Sequence, residues 1–241
     1  PDEKMTPAAR KQAKPVPTPA AVPHIAEPAR FDWATAANTG SETQAIAALF
    51  SAWGADYRGG EPCQEAARLG LRCREERDNL DGLRRLDRPA VLTLRDDQGR
   101  EVHAALLQLD TQHARLSVGG TRVNVTPESL NSHWTGNYRM FWRTPEQVED
   151  PLRPGASNPG VACLRAQLAR SEGRAPEAVE NTLFDADLAQ RVKRFQQTHN
   201  LKPDANVGPN TLVLLAGEAD ASAPRLGVAA SVTPPRNRGA H

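Results

Sequence analysis

The chain has 241 residues, 39% of them hydrophobic, and its 30 basic and 29 acidic side chains leave a formal net charge of +1. That length provides one or two domains with enough apolar material for a core. Charge this close to balance gives no reason to expect a nucleic-acid partner or an anionic membrane surface. Nor is there a run of about 18 apolar residues that could span a bilayer.

Residues 1–30 are rich in proline and alanine and show no apolar period. Such a segment buries too little surface to offset its ordering entropy, so a disordered linker is expected. The chain opens on Pro1 with no visible signal peptide. A piece of a longer or processed protein is therefore expected, with this arm as a semi-extended spacer.

A first domain is expected over 31–148. Ile46, Leu49, Phe50 and Trp53 recur at helical spacing, and Ser41 with Gln44 three residues on forms a capping box at the start of that helix. A second short helix is expected from Glu61 to Leu69, closed by Gly70. Cys63 and Cys73 flank the end of this segment; in an oxidising compartment they pair, and otherwise both are small buried hydrophobes.

Strand-like runs follow at Ala90–Leu94, Val102–Leu109 and Ala114–Val118, the last answered across a Gly119-Gly120 turn by Thr121–Val125. Asp96-Asp97 ahead of Gly99 reads as a turn. Thr126-Pro127-Glu128 opens a short helix, and Tyr138–Trp142 is the last strand. Helices first and an antiparallel sheet second make an α+β domain.

A second, helical domain is expected over 149–218. Leu188, Val192 and Phe195 fall at i, i+4 and i+7, with Asn200 as a left-handed closing residue and Leu201 packing back. Gly208-Pro209 opens a further helix with Leu212 and Leu215 on its buried edge. Cys163, beside Leu164, is read as core. Residues 219–241, with Arg225, Arg236 and Arg238 and no acid after Asp220, are expected to be a disordered tail.

The run Phe195-Gln196-Gln197, Asn200-Leu201, Asp204, Val207, Gly208, Pro209 and Thr211, with Leu152-Arg153-Pro154-Gly155, Val161, Leu164 and Leu168 upstream, resembles the peptidoglycan-binding module family. The resemblance implies a small three-helix domain and a peptidoglycan ligand. Gln196, Asn200, Asp204 and Thr211 then flank the binding loop, over a floor of Val207 and Phe195, whose heavier reading is plain core. The chain departs from the family's pattern at Ala205, where glycine is usual; a positive φ there is strained unless Asn206 takes the left-handed role.

The first domain, through Leu49–Gly54, Leu69-Gly70-Leu71, Pro89-Ala90-Val91, His103 and Trp134-Thr135-Gly136, resembles the papain-like C39 peptidase family. In that family a cysteine stands at the N-terminus of the helix ending here in Trp53-Gly54, where the helix dipole and an imidazolium favour thiolate. Here Asn38–Thr43 contains no cysteine, Ser41 is read as a cap rather than a nucleophile, and no carboxylate stands near Leu116-Ser117-Val118 to orient His103. No catalytic residue is assigned, and the scattered cysteines and histidines imply no metal or other cofactor.

With Phe141-Trp142-Arg143-Thr144-Pro145 at the junction, the two-domain order is similar to the periplasmic part of the general secretion pathway protein A family of type II secretion. That resemblance implies a periplasmic location, an ATPase domain and membrane helix ahead of Pro1, and partners in secretion pathway protein B and the outer-membrane secretin. It leaves oligomer formation open. The rival reading is a peptidoglycan hydrolase or peptidase carrying a wall-binding module.

Overall fold

The computed structural model describes residues 31–143, 148, 151–175 and 181–227. The expected linker over 1–30, Thr144 and Pro145 of the junction, and Arg236 and Arg238 lie outside the described residues.

Strands β1 (Leu71–Arg77), β2 (Ala90–Arg95), β3 (Glu101–Leu109), β4 (Ala114–Val118), β5 (Thr121–Val125) and β6 (Trp134–Arg143) form one sheet in the order β1-β6-β2-β3-β4-β5. Every pairing is antiparallel. The helices are α1 (Trp33–Thr39), α2 (Glu42–Ala52), α3 (Pro62–Arg68), α4 (Leu80–Leu86), α5 (Pro127–His133), α6 (Pro159–Ser171), α7 (Ala186–Thr198) and α8 (Pro209–Ala219).

Period-two alternation assigns the two faces of this sheet to different cores. Leu92, Leu94, Ala104, Leu106, Met140 and Trp142 pack with Trp33 of α1, Leu83 of α4 and Leu130 of α5. Val91 and Phe141 point the other way, against Ile46, Leu49 and Phe50 of α2 and Ala66 of α3. The central strand β2 is apolar throughout its first face and at Val91 on the second, where half-buried Thr93 and exposed Arg95 follow.

Three elements lacked a legible sequence signal: α1, β1 and α4. Both helices have only seven residues, too few to establish a period. Strand β1 (LRCREER) is a charged edge strand that, among the described residues, pairs with β6 alone, so little of it needs to be apolar. The last strand begins at Trp134, ahead of the expected Tyr138, because Thr135 Oγ1 donates to Thr93 O at 2.7 Å and carries the pairing past a bulge.

Helices α6, α7 and α8 surround a second core of Val161, Leu164, Leu168, Leu188, Val192, Leu212 and Leu215. Asn158 and Asp185 cap α6 and α7 through their carbonyl or carboxylate oxygens. Two buried arginines tie the helices reciprocally. Arg165 of α6 reaches the Asp185 carboxylate, and Arg191 of α7 reaches Glu172, just past α6, with Nη2 to Oε2 at 3.0 Å.

Helix α8 serves both cores. Leu212, Leu214 and Leu215 face the helical module, whereas Val213 packs into the sheet-side core.

The tail expected from 219 onward is corrected by the structure. Residues 220–227 continue along the first domain, and Leu226 is 1% exposed in its core. Asp87, held in the left-handed conformation at φ 52, receives this strap: its carboxylate accepts from the Leu226 amide at 2.9 Å and the Gly227 amide at 3.0 Å. A single leucine among alanines, prolines and serines gives no periodic signal, which is why composition reads the stretch as tail.

Candidate functional site

The N-terminus of α2 holds a cluster of charged groups. Ser41 is the N-cap: its hydroxyl accepts from the Gln44 amide at 3.3 Å and donates to Gln44 Oε1 at 3.0 Å. Glu42, in the first turn, accepts from Arg139 Nη1 at 2.8 Å, while Arg139 Nε donates to Glu75 Oε1 at 2.6 Å. Three elements, α2, β1 and β6, thus converge on one guanidinium.

His103 shares a cavity of 400 Å³ with Glu42, Glu75 and Arg139. Its amide donates to Gly40 O at 3.0 Å, which ties β3 to the turn before α2. Its ring Nε2 lies 3.3 Å from Glu101 Oε1. A carboxylate therefore does reach His103, from two residues earlier on the same strand rather than from the next strand. Among the described residues no hydrogen bond joins Ser41 to His103. The arrangement holds acids and a guanidinium where a papain-like enzyme needs a polarised thiol beside an imidazole. Asp96 and Asp97 form the expected turn, with Asp96 accepting from the Gln98 and Arg100 amides.

In the helical module, Gln196 is 2% exposed and braces the loop ahead of α8. Its Oε1 accepts from the Ala205 amide at 2.9 Å, and its Nε2 donates to Asn206 O at 2.9 Å and Thr211 Oγ1 at 3.4 Å. Thr211 and Val207 are buried as well, so three of the five residues singled out from the sequence hold the loop from inside. Asn200 is exposed and Asp204 half-exposed. The Asn206 amide keeps the Asp204 carboxyl below the usual carboxylate range. Phe195 is 7% exposed and packs in the core against His199.

Asn200 does close α7 with a positive φ of 54. At the next turn the structure corrects the expectation about Asn206: Ala205 itself adopts φ 63, buried to 1%.

Cys63 and Cys73 are joined by a disulfide between α3 and β1. Cys163 is half-buried against the module core.

Known proteins match the sheet domain and the helical module separately. Residues 35–144 match the family described as "GspA, peptidase C39-like domain". Residues 157–215 match the family described as "Putative peptidoglycan binding domain". The chain joins a GspA-type C39-like domain to a peptidoglycan-binding-type module.

It is 32% identical over 179 residues to General secretion pathway protein A of Aeromonas hydrophila, covering 74% of this chain. A 26% identical stretch of 184 residues matches "Putative general secretion pathway protein A" of Escherichia coli (strain K12), again over 74% of the chain. The chain spans 32% and 37% of the length of these relatives. Among solved structures, a periplasmic domain of the EpsAB fusion protein of the Vibrio vulnificus type II secretion system superposes with a TM-score of 0.53 at 26% identity. That match covers 79% of this chain and 84% of the other.

The residues that sequence reading missed are Glu42, Glu75, Glu101 and Arg139. Each reads in isolation as a solvated surface charge. Only the register of β1 on β6, which places Glu75 opposite Arg139, reveals the cluster.

Proposed function

We infer that this chain is a wall-binding, non-hydrolytic part of a type II secretion apparatus. The helical module holds peptidoglycan through the Asn200–Thr211 loop, and the C39-like domain serves as a scaffold. The observation that carries this reading is the occupation of the α2 N-terminus by Glu42, bonded to Arg139 at 2.8 Å. A nucleophile there needs a free hydroxyl or thiol within reach of a base, whereas Ser41 is engaged with Gln44.

A periplasmic location, engagement of secretion pathway protein B and placement of the secretin belong to the same proposal. Their support is the likeness to general secretion pathway proteins A and to a periplasmic domain of EpsAB. No helix among the described residues is long and apolar enough to cross a membrane.

Co-sedimentation of the full chain with purified sacculi, run beside zymography on the same sacculi, tests the reading. Binding with no clearing band is expected, and His103→Ala should leave binding unchanged. Clearing that disappears in Ser41→Ala or His103→Ala would establish the hydrolase reading instead, and recovery of the chain only in the supernatant would remove the wall-binding role.

A further inference from the structure

A separate cavity of 640 Å³ runs along α2, between its small residues Ala47 and Ala48 and strands β3, β4 and β5. No aspartate or glutamate lines it, but Arg115, Arg122 and Arg225 do. Arg225 is paired, with Asp87 at 3.2 Å. Among the described residues the other two have no counter-charge: Arg115 Nε donates to the neutral Asn124 at 3.3 Å, and exposed Arg122 makes no ion pair.

Sheet geometry puts these two cations beside one hydroxyl. Arg122 sits opposite Ser117 in the β4–β5 register, and Arg115 lies two residues before Ser117, so all three project from one face. Ser117 is only 6% exposed, and its hydroxyl has no hydrogen bond among the described residues. Nearby, Gln108 Oε1 is buried without a partner. A buried acceptor left unpaired, as Gln108 Oε1 is, is uncommon because its desolvation is uncompensated, and a ligand supplying an N–H removes that cost.

We propose that this groove takes an extended acidic peptide from a protein partner. Carboxylates of the peptide sit on Arg115 and Arg122, the Ser117 hydroxyl donates to a peptide carbonyl, and Gln108 Oε1 accepts a peptide N–H. No aromatic side chain lines the groove to stack on a sugar ring, which disfavours a glycan strand. The chain's own ends are poor occupants by charge. Residues 1–30 carry five Lys or Arg against three acids, and residues 228–241 carry Arg236 and Arg238 with no acid. The proposal does not depend on the module binding peptidoglycan.

The test is fluorescence anisotropy of the full chain with a fluorescein-labelled peptide of five Glu-Ser repeats, against five Gln-Ser repeats. The Glu-Ser probe should bind about ten-fold more tightly at low salt, and Arg115→Glu with Arg122→Glu should abolish that preference. Ser117→Val should weaken binding several-fold while leaving its salt dependence intact. The charge-reversed chain should keep its circular dichroism spectrum and its behaviour with sacculi. Equal affinity for the two peptides, or a preference that survives charge reversal, overturns the proposal. Displacement of the probe by soluble muropeptides, lost in the charge-reversed chain, also overturns it and makes the groove a cell-wall site.

Discussion

Gln196 holds Ala205 in a left-handed turn: the Gln196 side-chain oxygen accepts the Ala205 amide at 2.9 Å, and Ala205 sits at φ 63. A non-glycine residue at such an angle costs about 1–2 kcal/mol, so the loop is kept in shape by bonds made from within. Ala205→Gly should therefore raise stability by up to about 1 kcal/mol, since glycine's looser unfolded state offsets part of the relieved strain. Urea denaturation of the two chains measures it; a lower midpoint for the glycine variant would show that Ala205 is unstrained.

Removing the brace should act in the opposite direction. Gln196→Ala leaves the Ala205 amide and Asn206 carbonyl without the partner that holds them. A loss of about 2 kcal/mol is expected from the unpaired groups. Sacculus binding should fall with it, through loop shape rather than a lost contact. Gln196→Glu keeps the acceptor for Ala205 but turns a second carboxylate oxygen toward Asn206 O and Asp204 Oδ1, so at neutral pH it should cost at least as much as Gln196→Ala in both measurements.

Acid should loosen the junction between α6 and α7. The Leu188 amide, and then Arg165, hold the Asp185 carboxyl below its ordinary range. A carboxylate with a depressed folded pKa contributes stability that is present above its unfolded value near 4 and is lost as pH falls through the folded value. The melting temperature should drop on acidification below about pH 4. Asp185→Asn, which retains the cap oxygen, should flatten that part of the profile; an unchanged slope would assign the acid sensitivity elsewhere.

The strap over the first domain should matter to the whole chain. Ending the chain at Glu218 removes Leu226 from the core and the two amides that donate to Asp87. Burial of one leucine contributes about 2 kcal/mol, so a loss of at least that size is expected. Leu226→Ala should reproduce most of it. Thermal unfolding unaffected by the truncation would show that the strap is not bound in solution.

Reduction of the Cys63–Cys73 bond, which closes a loop with a sequence separation of 10, should cost about 2–3 kcal/mol by the chain-entropy relation. Alkylation without reductant followed by mass spectrometry should label Cys163 but leave these two unmodified. Labelling of all three would mean that the bond does not form.

Much of this protein is written locally in its sequence. The α2 period with its Ser41–Gln44 cap, the Gly119-Gly120 hairpin, the apolar edges of α6, α7 and α8, and the left-handed Asn200 all depend on residues within about two helical turns of each other, so spacing and turn chemistry suffice. Tertiary structure decided the rest. Glu42 and Arg139 are 97 positions apart, and Leu226 docks on Asp87 across 139. Gln196 and Thr211 became interior struts rather than surface groups because α7 and α8 pack together and bring the two side chains into contact. A charge, an amide or a lone leucine carries no period of its own. Its role is set by the neighbours that strand register and helix packing bring to it, and those neighbours come from distant parts of the chain.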